Sequence, residues 1–191
     1  GHWFASEPEG VTPDIVTLGK GLSSGTVALS AVGVQERHYE AIRLGSGGFV
    51  HGGTFSHHAV ACAAGNTVLD ILEGEGLVAR VARQGTALGE RLVRRLGDHP
   101  HVGDIRGRGF LWGVEFVADR RTRRPFPRRE KVCERLWERL YADGVLLYKA
   151  TGLAGTDGDA LLVGPPFIAT DEELERIVEA LGVAVEAVLG G

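Results

Sequence analysis

The sequence predicts an α/β chain in two parts, and three observations carry that reading. Apolar runs at 14–18 and 28–34 have strand character and lead into helical patterns. From Leu77 to Leu96, Leu77, Val81, Leu88, Leu92 and Leu96 fall on one face of a helix with arginines opposite. Beyond that helix, strand and helix patterns alternate up to a final helix opened by Thr170 and Glu173, which have the spacing of a capping box. With 43% hydrophobic residues, 24% charged residues and a net charge of −4, the 191 residues have the composition of a globular protein.

Taken in order, the strand patterns at 14–18 and 28–34 read as buried, with Lys20 and a Ser23-Ser24-Gly25 turn between them. A helix is expected from about Gln35 to Arg43, followed by a loop rich in glycine. A helix of small residues then starts after Phe55, includes His57, His58, Ala59, Ala61, Cys62, Ala63 and Ala64, and stops near Gly74 and Gly76. Its alanines allow close approach to another backbone. After the amphipathic helix, strands are expected at 102–105 and 110–117, joined by Arg106-Gly107-Arg108-Gly109. Next comes a helix from about Glu130 to Ala142, closed by Gly144. Residues 145–148 and 160–163 read as strands separated by a glycine-rich loop (Gly152, Gly155, Gly158) long enough to be functional. In the last helix Leu174, Ile177, Val178, Leu181, Val185 and Val188 repeat at helical spacing.

This order suggests that residues 1–73 complete a larger α/β domain begun before Gly1, and that residues 74–191 form a smaller α+β domain. The absence of methionine from 191 residues agrees with a C-terminal part of a longer protein, or one processed at its start. The opening Gly1-His2-Trp3-Phe4-Ala5 lacks the charged and apolar regions of a signal peptide. No run reaches the length of a membrane span. Cys62 and Cys133, far apart in different helical patterns, suggest reduced thiols and a cytoplasmic setting.

The basic run Arg120-Arg121-Thr122-Arg123-Arg124-Pro125-Phe126-Pro127-Arg128-Arg129 reads as a solvated loop between a strand and a helix. Two prolines interrupt it and no aromatic stacking series accompanies it, so together with the mild acidity of the chain it argues against a nucleic-acid partner.

Lys20 is the main candidate for chemistry. It ends the strand pattern of Pro13-Asp14-Ile15-Val16-Thr17-Leu18-Gly19-Lys20-Gly21-Leu22 and has glycine on both sides. The chain has three lysines, and neither Lys131 nor Lys149 has such a frame. Without Cβ atoms at 19 and 21, a flat molecule can come close to the backbone. Desolvation of such a lysine frees its amine for a Schiff base; the alternative is a solvated lysine at a strand end.

Other patterns are weaker. Gly107-x-Gly109-x-x-x-Gly113 is one residue too long for a dinucleotide fingerprint and precedes a strand. Lys20 is followed by Gly21, not by the Ser or Thr of a phosphate-binding loop. His58 and Cys62 are spaced to share a helix face, and His51 and His57 lie nearby, yet a fourth metal ligand is not evident, so no metal is expected.

Four segments in order carry a family resemblance: the run ending in Gly19-Lys20-Gly21-Leu22; His51-Gly52-Gly53-Thr54-Phe55-Ser56-His57-His58 with the alanine-rich stretch after it; Arg106-Gly107-Arg108-Gly109-Phe110-Leu111-Trp112-Gly113-Val114-Glu115; and Gly164-Pro165-Pro166-Phe167-Ile168. Together they resemble the class III aminotransferases, pyridoxal-phosphate enzymes of fold type I. The resemblance implies that Lys20 holds pyridoxal 5'-phosphate as a Schiff base, and that Thr54 binds its phosphate across the interface of a homodimer. It places the ring-nitrogen carboxylate, the stacking aromatic and most of the phosphate cup upstream of Gly1, so the chain alone is expected to be inactive. Aminomutases and decarboxylases share the fold, as would a remnant that only folds or dimerises. Members that bind an α-carboxylate commonly carry an arginine three residues before the Pro-Pro pair. Leu162 stands there, which points to an amine or ω-amino acid donor with a keto-acid acceptor such as pyruvate.

Overall fold

The computed structural model describes residues 1–190. The chain divides into two units, His2–Val78 and Ala79–Gly191.

In the first unit, β1 (Ile15–Leu18) and β2 (Ala31–Val34) pair antiparallel, with Ile15 opposite Val34 and Leu18 opposite Ala31. A 3-10 turn, Lys20–Ser23, lies between them, and α1 (Glu36–Leu44) and α2 (Ala59–Gly74) follow. The two strands form where expected but are not buried: Ile15 is 57% exposed and Val32 65%. Among the described residues this sheet has two strands only, so each strand has a single neighbour to cover it. Ala61 and Gly65, one turn apart on α2, are the buried residues of that helix. A Cβ at Gly65 would collide with the Leu29 side chain and lie 3.7 Å from the Leu22 carbonyl oxygen, so the small-residue face of α2 packs on the segment after β1. The helix starts two residues later than the sequence suggests: His57 has φ +58°, in the left-handed region, and His58 is the N-cap.

The second unit is an antiparallel sheet with helices on one face. α3 (Leu77–Leu96) covers the expected span, and Leu88, Leu92 and Leu96 are buried along its expected face. β3 (Val102–Arg108), β4 (Leu111–Asp119), β7 (Asp157–Val163) and β6 (Tyr148–Ala154) lie side by side in that order, and β5 (Arg124–Pro125) pairs with β4. α4 (Val132–Ala142) precedes β6, and α5 (Asp171–Leu189) closes the chain with both hydrogen bonds of the Thr170/Glu173 capping box in place. Alternation along the strands separates two faces. Val114, Phe116, Leu161 and Val163 join the core with α3, α4 and α5. Gly113 and Leu162, paired with each other, lie on the opposite face.

Three connections differ from expectation. Arg106, Gly107 and Arg108 belong to β3, and the turn is Gly109-Phe110, with Gly109 at φ +57°. The glycine-rich stretch is not a long loop but the body of the β6–β7 hairpin, turning at Gly155-Thr156. Backbone pairing needs no side chain, and Gly152, Gly155 and Gly158, at φ +73°, +72° and +93°, accommodate a register shift between Thr151 and Ala154. The basic run is also more than a loop. Phe126 is buried, which anchors β5 against Val117 and Asp119 of β4, and Pro125 is tolerated because β5 is an edge strand.

Glycines set the close approaches of α3 and α5. A Cβ at Gly85 would run into the Gly109 backbone, one at Gly89 into the Trp112 indole, and one at Gly182 into the Arg95 guanidinium. Arg95 bridges Glu179 at 3.1 Å and Glu186 at 2.7 Å, and Arg91 faces Asp171 and Glu175, so the two helices are laced along their length. Arg80 donates to the carbonyl oxygens of Phe167 (3.0 Å) and Ala169 (2.5 Å), which fixes the loop after β7. Both cysteines are free: Cys62 is exposed, whereas Cys133 is buried, donates to the Ala160 carbonyl at 3.2 Å, and has its thiol pushed up to about 11 by burial.

Candidate active site

The turn that presents Lys20 is held from below. Ser23, 1% exposed, donates from its hydroxyl to the Val27 carbonyl at 2.6 Å, and its own carbonyl accepts from the Thr26 hydroxyl at 2.7 Å. The Leu22 and Ser24 amides close on Gly19 and Gly21. With the turn locked on this side and backed by α2, Lys20 is carried at its first position with φ +53°. A side chain in the left-handed region is sterically costly for any residue but glycine, and such outliers gather at functional sites. The Lys20 side chain is exposed, without an ion partner among the described residues. An added Cβ at Gly21 would meet nothing within 4 Å, and one at Gly19 only the Leu29 carbonyl at 3.8 Å, so the approach to the amine is open.

The other two lysines are set differently. Lys149 lies over the Trp137 ring, 4.4 Å from its centroid. Lys131 is also left-handed, at φ +50°, but it is the N-cap of α4 between Glu130 and Val132. Asp14 is tied to Arg37 and to His38 Nε2 (3.3 Å), so its carboxylate is already engaged.

Thr54 lies in a tight turn just before α2. The Gly53 amide donates to the Ser56 hydroxyl at 2.8 Å and the Ser56 amide returns to the Gly53 carbonyl at 2.9 Å. His58 Nδ1 accepts from the Ala61 amide at 3.2 Å, which caps the helix. Ser56 and His58 thus fix the turn while the Thr54 hydroxyl stays exposed, without a hydrogen bond among the described residues. The turn opens onto the N-terminus of a 16-residue helix, where partial positive charge favours an anion. No hydrogen bond or ion pair joins Lys20 to Thr54 among the described residues.

The locking residues Ser23, Ser56 and His58 were not singled out for these roles in the sequence. The signal for them is local: Ser23 stands three residues before Thr26, Ser56 three after Gly53, and His58 three before Ala61, the spacings of side chain to backbone turns. Leu162 is half-buried on the helix-free face of the sheet, opposite Gly113 of β4 and Tyr148 of β6. A Cβ at Gly113 would touch the Leu162 side chain at 3.4 Å, so the leucine lies over the glycine.

The family model for class III aminotransferases matches residues 1–185. An aminotransferase of Gibberella zeae is 40% identical over 186 residues, covering 96% of this chain and 36% of that protein. The (S)-enantioselective omega-transaminase of Thermomicrobium roseum superposes with a TM-score of 0.87 at 34% identity, over 96% of this chain and 39% of that one. A PLP-bound amine transaminase from an uncultivated Pseudomonas species gives a TM-score of 0.85 at 33% identity, over 96% and 40%. The chain spans about two fifths of the length of the curated relatives it matches, 36%, 40% and 43% in three of them.

Proposed function

Since this chain belongs to the class III aminotransferases, we propose that it supplies the reactive lysine and one phosphate ligand of a pyridoxal-phosphate transaminase. The enzyme would move an amino group from an amine or ω-amino acid to a keto acid such as pyruvate. The observation that carries this reading is the setting of Lys20, an exposed amine in the left-handed region between two glycines, on a turn stapled by the buried Ser23.

The residues fit the cofactor. The open flanks of Lys20 suit a flat ring, and the unengaged Thr54 hydroxyl at the approach to α2 suits a phosphate ester. Pyridoxal phosphate, when bound, supplies an electron sink for the carbon that carries the amino group. Lys20 Nζ accepts the proton lost from that donor carbon and later returns it, acting as base and then as acid. Thr54 would hold the phosphate through its hydroxyl, and on the family resemblance we assign it to the site of a second copy in a homodimer. Residues 1–73 then belong to a larger cofactor-binding domain and residues 74–191 to a smaller one. The two free thiols suit a reducing, cytoplasmic setting.

Leu162 supports the choice of donor. A substrate carboxylate set beside this half-buried leucine would be desolvated without a donor. The test of the reading is covalent. Borohydride treatment of the full-length protein with pyridoxal phosphate should fix the cofactor to the peptide containing Lys20, and Lys20→Ala should abolish both adduct and turnover. An adduct on Lys131 or Lys149 would end the assignment.

A further inference from the structure

The arginines of the helices are largely engaged: Arg80 with carbonyl oxygens, Arg91, Arg94 and Arg95 with carboxylates, and Arg139 with Asp143. The turn between β4 and β5 is different. Arg120, Arg121 and Arg124 make no ion pair among the described residues, and they line an open groove of about 640 Å³ together with His101, Asp98 and Asp119. Residues 119–131 carry seven cations against two carboxylates, an excess of five in a chain whose net charge is −4.

The turn is also fixed in shape. Asp119 Oδ1 accepts from the Thr122 amide at 3.2 Å and the Arg121 amide at 2.8 Å, and these bonds, with the nearby Arg124 charge, hold its carboxyl below the usual aspartate range. β5 pairs Arg124 with Asp119 across the ladder, and the buried Phe126 anchors the returning strand. His101 donates from Nδ1 to the Val117 carbonyl at 3.0 Å and rests against Phe126, with ring centroids 5.3 Å apart, so the wall of the groove is set by the core. Arginine forks presented on a rigid turn suit phosphate oxygens, which they can hold two at a time.

We propose that this groove binds a small molecule bearing a linear di- or triphosphate. Its volume lies within the range of small-ligand sites and exceeds the needs of a single phosphate. The surroundings argue against larger polyanions. Single-stranded nucleic acid requires exposed aromatic rings for stacking, and Phe126 is buried. A membrane surface requires apolar side chains to insert, and no large hydrophobic residue between Ala118 and Lys131 is exposed.

Calorimetric titration of the full-length protein at low salt with inorganic tripolyphosphate, ADP and a short RNA tests this. Tripolyphosphate and ADP should both bind if the phosphates alone are recognised, and ADP alone if the nucleoside contributes; either supports the site. Binding should weaken about tenfold or more in R121Q/R124Q and stay unchanged in R83Q, which removes an exposed arginine of α3 outside the groove. Absence of binding by both phosphate compounds to the unmodified protein would overturn the proposal. So would an equal loss in R83Q, or binding of RNA alone.

Discussion

Replacing Gly89 by alanine sets two effects of opposite sign against each other. In an unconstrained helix the change stabilises by about 1 kcal/mol, because alanine leaves less backbone freedom to lose on folding. At this position the new methyl would enter the Trp112 indole. The ring is not free to swing aside, since its Nε1 donates to the Gly109 carbonyl at 2.8 Å at the turn between β3 and β4. Overpacking of this kind costs about 1–3 kcal/mol, and breaking the indole hydrogen bond adds about 1 kcal/mol. The net loss is therefore roughly 1–3 kcal/mol, or about 5–20 °C in the melting temperature of a unit of this size. Two neighbours in kind serve as controls. Gly182→Ala meets the Arg95 guanidinium, a flexible side-chain end but one held by Glu179 and Glu186, so displacing it should offset the helical gain and leave the protein within about 1 kcal/mol of the parent. Gly74→Ala, where a Cβ would meet nothing within 4 Å, should gain up to about 1 kcal/mol. Melting curves followed by circular dichroism decide the matter. A Gly89→Ala protein as stable as its parent would show that the α3 contact with Trp112 is loose and that the reasoning from close approach fails.

Thr54→Ala should weaken cofactor binding by about 1.5–3 kcal/mol, as the loss of one hydrogen bond to a charged phosphate does. Full-length Lys20→Ala and Thr54→Ala chains, each impaired alone, should regain activity on mixing; no recovery after verified subunit exchange would remove Thr54 from a shared site. Asp159, fully buried, accepts from the Cys133 amide at 3.0 Å through Oδ1 while Oδ2 has no partner, and burial raises its pKa above the ordinary value of 3.8. The folded state therefore holds its proton to higher pH than the unfolded state, so stability declines as pH rises from about 3.8 through the raised value. Asp159→Asn should flatten that slope in urea midpoints measured across the window, and an unchanged slope would refute the assignment. For donors, kcat/KM should be higher with β-alanine and simple amines than with glutamate, and the reverse order would show that Leu162 does not mark the substrate site.

Much of the helical architecture was legible because amphipathic spacing and caps are local signals. Leu77–Leu96 and the Thr170/Glu173 box depend on neighbours three and four residues away, and both stand where the pattern puts them. The strand connections were less legible, since pairing is a property of two segments at once. Gly152, Gly155 and Gly158 look like a loop when read singly, yet they form the irregular, turning end of a hairpin whose neighbouring residues, Thr151 and Ala154, pair with Asp159 and Asp157. The exposure of β1 and β2 has the same origin: Ile15 and Val32 have the composition of buried strands, but burial requires other strands or helices to lie over them. Lys20 was legible from its flanking glycines, whereas its left-handed backbone and the Ser23 staple emerge only from the folded turn.

The lacing of α3 to α5 has a consequence for synthesis. Arg91 and Arg95 meet partners 80 to 91 residues further along the chain, out to Glu186. Translation at about 5–20 residues per second needs on the order of 5 to 20 s to cover such a distance. During that interval Leu88, Leu92 and Leu96 have emerged while α5 is still being made. The earliest helix of this unit thus waits for the last, and a nascent chain arrested before residue 171 would leave an apolar stripe open to chaperones or to neighbouring chains on the same messenger.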